Sequence, residues 1–176
     1  GYRGVSRRQD VLLEQPGLVL YADYAHHPTE ITALLQNLRA RSPGRLLVAF
    51  QPHRYTRTRQ FAAEFAEALG LADRVFLLPV YAASEPPLSD GTTAAILAAI
   101  PSAAAKFSLH ESFGDLENSL RDALAENSAP VTLALVGAGD IDEFAAEFVR
   151  RLNGEIFSMD SSATKKGQML DWFDAL

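Results

Sequence analysis

Arg54 and Arg57 stand three residues apart, just after the apolar run at residues 46–50. A helix starting there would put both guanidinium groups on one side, and the planar fork of arginine binds a carboxylate or phosphate through two oxygens. Pairing at the surface with Glu64 or Asp73 is the plainer alternative. A second polar cluster, Asp23-Tyr24-Ala25-His26-His27-Pro28-Thr29-Glu30, follows the apolar run at 18–22. His26 and His27 are adjacent, with no cysteine and no histidine four residues away, so hydrogen bonding or packing is favoured over metal ligation. His27 reads as a helix cap, while His26 and His53 occupy corresponding positions after neighbouring strands. Asp23 can accept from ribose hydroxyls or pair with an arginine. Gly137-Ala138-Gly139-Asp140 resembles part of a phosphate loop, yet a close strand-to-helix turn explains it equally well. No G-x-x-x-x-G-K-[ST] is present. If ATP is used, its phosphate cradle lies elsewhere.

These clusters need elements to hold them. Pro16-Gly17 between two short apolar runs predicts a hairpin. Ile31, Leu34, Leu35 and Leu38, spaced for one helix face behind Pro28 and Glu30, predict a helix over 28–40. Strands are then expected at 46–50, 74–78, 106–109 and 131–136, and helices at 57–69, 92–99, 113–125 and 141–152. The alternation implies an α/β, Rossmann-like fold: a mostly parallel sheet of about six strands, covered by helices on both faces, with an N-terminal hairpin strand. In such sheets ligands bind beyond the carboxyl ends of the strands, where both polar clusters fall. Residues 79–91, a loop with three prolines, are longer than most strand-to-helix connections and are expected to be functional. From residue 153 the pattern decays. Residues 153–176 are read as an extension with poor order, ending in a helical turn or two at 169–176.

Composition narrows the class. With 176 residues and 48% hydrophobic content, one globular domain can bury a core. A formal net charge of −6 argues against general attraction to nucleic acid or an anionic membrane. The absence of cysteine removes disulfides, thiolate metal sites and cysteine nucleophiles. No apolar run approaches the roughly 20 residues that span a bilayer, and the first ten residues are too polar for a signal peptide. A soluble, cytoplasmic domain is expected, and the start without Met reads as a piece of a longer protein.

Three blocks carry a family resemblance: residues 23–30, then Phe50-Gln51-Pro52-His53-Arg54-Tyr55-Thr56-Arg57, then Leu78-Pro79-Val80-Tyr81-Ala82-Ala83-Ser84-Glu85. With residues 4–8 and 137–141 they resemble, in order, the C-terminal domain of the Mur ligases, in the branch that adds L-alanine to UDP-N-acetylmuramate. The resemblance covers residues 1–152 and leaves 153–176 without a counterpart. It implies a cytoplasmic ligase of peptidoglycan synthesis, dependent on ATP and Mg2+, working through an acyl phosphate. The family's N-terminal domain binds the UDP-sugar and its central domain holds the P-loop and magnesium, so this domain alone is expected to be inactive. The same resemblance implies that Arg8 reaches the ATP phosphates and Asp23 the ribose. Arg54 and Arg57 would clamp the carboxylate of alanine, with Tyr24, His26 and His53 shaping a methyl-sized pocket. Selection by such a pocket is worth about 1–3 kcal/mol per methylene, so rejection of glycine is expected to be modest. Ser6 and Ser84 stand where the family pattern has glycine, which puts local loop geometry in question. Two other readings remain: a ligase that recycles the murein tripeptide, and a non-catalytic module that binds a nucleotide or acidic metabolite.

Overall fold

The structure is a computed structural model. It describes residues 8–42, 44–100, 106–126 and 129–163, with side chains described as far as residue 154. The chain opens with the expected hairpin, β1 (Asp10–Gln15) against β2 (Leu18–Asp23), antiparallel. Gly17 in its turn has φ +82°, the positive value that the third position of a type II turn requires. Helix α1 (Pro28–Arg41) follows. The His27 Nδ1 accepts from the Thr29 amide at 3.4 Å, and Glu30 reaches back to accept from the His27 amide at 3.2 Å. Pro28 sits at the first helical position, where its missing N–H has no intrahelical partner to lose.

Next come β3 (Arg45–Gln51), α2 (Tyr55–Gln60), α3 (Ala62–Leu69), β4 (Arg74–Leu77), α4 (Thr93–Ala98), β5 (Phe107–Leu109), α5 (Phe113–Ala125), β6 (Val131–Gly137) and α6 (Ile141–Ala163). The helix expected over 57–69 is thus two helices. The apolar spacing of Phe61, Phe65 and Leu69 holds, but Phe61 adopts φ −118° and ψ 24° where its ring meets His27 edge-on, at 4.9 Å between centroids. Both flanking bonds survive, Phe61 N to Arg57 O and Phe65 N to Phe61 O, so the break is a kink. At the other end, α6 does not stop where the apolar pattern decays. It runs on to Ala163, and the turn expected at 169–176 lies outside the described residues.

The sheet has six strands in the order β1-β2-β6-β3-β4-β5, parallel except for the β1–β2 pair. Side chains alternate between two cores, as the two-residue period of a strand demands. Leu46, Val48, Phe50, Val75, Leu77, Ala134 and Val136 pack with α1, α3 and α4. Leu47, Ala49, Phe76, Leu133 and Leu135 pack with α5 and α6 on the other face.

Register then sets the site. Asp23 and Phe50 both lie opposite Val136, from either side of β6, and Gln51 lies opposite Gly137. Three strand ends therefore finish at one level. The helices after β2 and β3 leave toward one face and α6 toward the other, which opens the crevice where parallel sheets bind ligands.

Candidate functional site

The strand ends carry two polar corners, and each is braced by its own backbone. In the first, the Asp23 carboxylate accepts from the Gln9 amide at 2.8 Å through Oδ2 and from the Ala25 amide at 2.7 Å through Oδ1. Glu30 accepts from the His26 amide at 3.1 Å and lies 3.3 Å from Arg8 Nη2. Burial pushes the Glu30 carboxyl up, but amide bonds from His26 and His27 and the nearby His26 and Arg8 charges outweigh it, and its pKa falls below the ordinary 4.5. Arg8 is 62% exposed, so this pair adds little stability and leaves the guanidinium free to move.

The second corner follows β3. Arg54 has φ +74° and ψ 132°, an uncommon conformation for a residue with a side chain. It is held there on both sides. Its amide donates to the Tyr81 carbonyl at 2.9 Å, the Tyr81 amide donates to the Pro52 carbonyl at 2.8 Å, and the Arg54 carbonyl accepts from the Thr58 amide and hydroxyl. The long loop after β4 is thus sewn to the exit of β3 through Tyr81. Farther along it, residues 82–85 reverse direction with Ala83 at φ 47° and Ser84 at φ 69°, closed by the Glu85 amide on the Ala82 carbonyl at 3.0 Å. Both central residues are left-handed, which explains the glycine that the family pattern places at Ser84. The reversal returns Glu85 to α2, where it accepts from the Thr56 amide at 3.0 Å and the Thr56 hydroxyl at 2.6 Å and lies 3.9 Å from Arg54 Nη1. Those Thr56 bonds hold the Glu85 carboxyl below its ordinary 4.5.

Between the corners runs a row of rings. Tyr24 meets His26 edge-on at 5.3 Å, His26 lies 5.9 Å from His53, and His53 stacks on Tyr81 at 5.5 Å. β6 inserts between β2 and β3, so the two histidines do not follow neighbouring strands as expected; the loops nevertheless bring the rings together. Burial lowers the His53 pKa below 6.5, helped by the charges of Arg57, His26 and Arg54 and opposed by Glu85. A neutral imidazole therefore faces the two arginines at neutral pH.

Asp73, offered in the sequence as a partner for the arginine pair, is taken by Arg39 at 2.9 Å and by the Leu46 amide. Arg57 Nη1 is buried without a hydrogen-bond partner, as is His53 Nδ1. A guanidinium nitrogen left unmatched under cover is costly, and it marks a place where an anion would be welcomed. Among the described residues no group of three or more His, Cys, Asp or Glu side chains is placed to hold a metal ion. The carboxylates at the two corners, Asp23, Glu30 and Glu85, accept from backbone amides, and Arg8 and Arg54 lie beside the two glutamates.

Gln51 closes the floor. Its Nε2 donates to Asp140 and its Oε1 accepts from the Ile141 amide at 3.1 Å. A Cβ on Gly137 would come within 2.8 Å of the Gln51 carbonyl, and one on Gly139 within 2.7 Å of the Tyr81 ring. Packing by itself requires both glycines. Sequence reasoning gave no role to Gln51, Tyr81 or Glu85. The length and position of the proline-rich loop pointed to the last two.

The molecule is an α/β domain that gathers an arginine pair, two histidines and two tyrosines at the carboxyl ends of its strands. It belongs to the Mur ligase family: the model described as "Mur ligase, glutamate ligase domain" matches residues 7–139. UDP-N-acetylmuramate–L-alanine ligase of Desulforamulus reducens is 40% identical over 152 residues, covering 86% of this chain and 32% of that protein. Among solved structures, UDP-N-acetylmuramate-alanine ligase from Thermotoga maritima superposes with a TM-score of 0.67 at 31% identity, over 87% of this chain and 31% of that one. A murein peptide ligase from Psychrobacter arcticus shares the fold, with a TM-score of 0.64 at 16% identity over 85% of this chain and 30% of that one. The chain thus spans about a third of the length of the relatives it matches. No described helix is long and apolar enough to cross a membrane.

Proposed function

We propose that this chain is the amino-acid-binding C-terminal domain of a cytoplasmic ligase that joins L-alanine to UDP-N-acetylmuramate at the expense of ATP. The observation that carries the reading is the arginine pair at the start of α2, with Arg57 Nη1 buried and unmatched and its charge close enough to act on His53. Arg54 and Arg57 take the carboxylate of the amino acid, which leaves its amine free. Tyr24, His26 and His53 enclose a small side chain. ATP supplies the phosphoryl group that activates the muramate carboxylate when the N-terminal and central domains are present, and magnesium is held there. Arg8 and Asp23 face the nucleotide from this side; Asp23 already spends one lone pair of each oxygen on a backbone amide and keeps the others for a ribose hydroxyl. The murein-tripeptide reading has weaker support, because identity to that enzyme is half of that to the alanine ligase.

The test uses the full-length ligase. A charge-assisted hydrogen bond is worth about 1.5–3 kcal/mol, so Arg54→Ala is expected to raise the KM for alanine about 10- to 100-fold with the KM for ATP nearly unchanged. Equal effects on both would contradict the clamp. This chain alone is expected to form no amide, and ATP-dependent amide formation by it would overturn the division of labour.

A further inference from the structure

The long loop after β4 does more than cover the sheet edge. Glu85 engages two consecutive parts of the clamp: its carboxylate accepts twice from Thr56, at the second position of α2, and lies 3.9 Å from Arg54 Nη1. The reach is expensive. Ala83 and Ser84 both adopt positive φ to turn the chain back, and Arg54 adopts positive φ to receive it. Strain at three non-glycine residues around one ion pair calls for a return.

Stability is not that return. Arg54 is 51% exposed, and an exposed pair at 3.9 Å contributes little to folding. Orientation is the better account. Without an anchor, the long Arg54 side chain at the mouth of the site samples many rotamers, each of which must be given up when a carboxylate binds. Glu85 is also the carboxylate placed 3.9 Å from Arg54 Nη1, where it offsets part of the positive charge that Arg54 and Arg57 bring to the start of α2.

We propose that Glu85 is a positioning residue of the amino-acid site: through Thr56 and Arg54 it holds the start of α2 so that the guanidinium pair is already arranged for the incoming carboxylate. The proposal rests on the reading of Arg54 and Arg57 as the carboxylate clamp. Glu85 itself touches no substrate. It acts on Arg54 directly and on Arg57 through Thr56 and the start of α2, so the larger part of its effect should disappear once Arg54 is gone.

The experiment is a double-mutant cycle in the full-length ligase, read as KM for alanine, KM for ATP and kcat. Glu85→Ala is expected to raise the KM for alanine about fivefold or more, with kcat and the KM for ATP within about twofold. Glu85→Gln keeps an acceptor for the Thr56 amide and loses the charge, and it should fall between the parent and Glu85→Ala. In an Arg54→Ala background, Glu85→Ala should change the KM for alanine by less than about twofold. Fully additive effects, or an unchanged KM for alanine in both Glu85 variants, overturn the proposal while leaving the clamp intact. An Arg54→Ala enzyme with normal KM for alanine overturns the clamp and, with it, the role given to Glu85. A loss of kcat together with both KM values in Glu85→Gln would show a general structural role and also overturn it.

Discussion

Replacement of Gly139 by alanine separates a packing role of the glycine loop from a ligand-binding one. The new methyl group would meet the Tyr81 ring at 2.7 Å and come closer still to Gln51 Oε1, distances that real side chains do not tolerate. Gln51 cannot yield freely, because it is buried and its Oε1 is the acceptor for the Ile141 amide at the start of α6. Overpacking of this kind costs about 1–3 kcal/mol, and leaving the Ile141 amide unmatched adds about 1–3 kcal/mol. At about 2–4 °C per kcal/mol for a chain of this size, Gly139→Ala should lower Tm by about 4–24 °C. Thermal unfolding of this chain followed by circular dichroism measures it. Gly154 is the internal control: it lies in α6 with nothing within 4 Å of an added Cβ, so Gly154→Ala should raise stability by about 0.5–1 kcal/mol. A Gly139→Ala chain that melts within about 1 °C of the parent would refute the packing account and return the loop to the status of a phosphate cradle.

The left-handed turn gives a change of opposite sign. Ser84→Gly relieves a φ of 69°, and after the extra freedom of glycine in the unfolded chain is subtracted it should stabilise by about 0.5–1 kcal/mol; a lower Tm would show that the serine side chain has an undetected task. Stability should also depend on pH in two stages. Burial lowers both His53, beside Arg57, and His110, whose neighbour Asp115 pulls the other way, below 6.5. The folded chain resists their protonation and the unfolded chain does not, so this contribution is full above pH 6.5 and is lost as pH falls through the folded values. Glu30 and Glu85, lowered from 4.5, and Asp73, lowered from 3.8, add a second loss in more acidic solution. Urea midpoints between pH 8 and pH 3 should fall in that order, and a midpoint that rises from pH 7 to pH 5.5 would be incompatible with the first stage.

Apolar periodicity was enough to place most elements because both faces of the sheet are covered. Leu46 to Phe50 and Val131 to Val136 have no solvent face to blur their pattern, and each is a strand. Periodicity could not order the strands. That β6 lies between β2 and β3 depends on pairing over long separations, to which no local pattern is sensitive. It also missed the kink at Phe61, since Phe61, Phe65 and Leu69 keep their spacing across it. Of the candidate site, the arginines and the two histidines stood out by residue type, and Tyr24 only through the family resemblance; Tyr81, which completes the row of rings, did not. Nor did Glu85, because its role depends on a turn made by Ala83 and Ser84, residues whose types give no hint of positive φ.

Asp23 shows how the two halves of the site are joined. Its carboxylate is not a free acceptor, because its Oδ2 ties Gln9 and its Oδ1 ties Ala25. The first bond fixes the chain next to Arg8, and the second fixes the chain between Tyr24 and His26. Glu30 repeats the arrangement one turn into α1, accepting from the His26 and His27 amides while it faces Arg8. The segment that presents Arg8 and the segment that presents the rings are therefore braced by the same two carboxylates. A force on Arg8 acts on Glu30, which holds the His26 amide, and through the chain on Gln9, whose amide Asp23 holds together with that of Ala25. Under the proposed function, occupancy on the nucleotide side and the shape of the amino-acid pocket would therefore be linked through this one corner of the fold, at two hydrogen-bonded carboxylates.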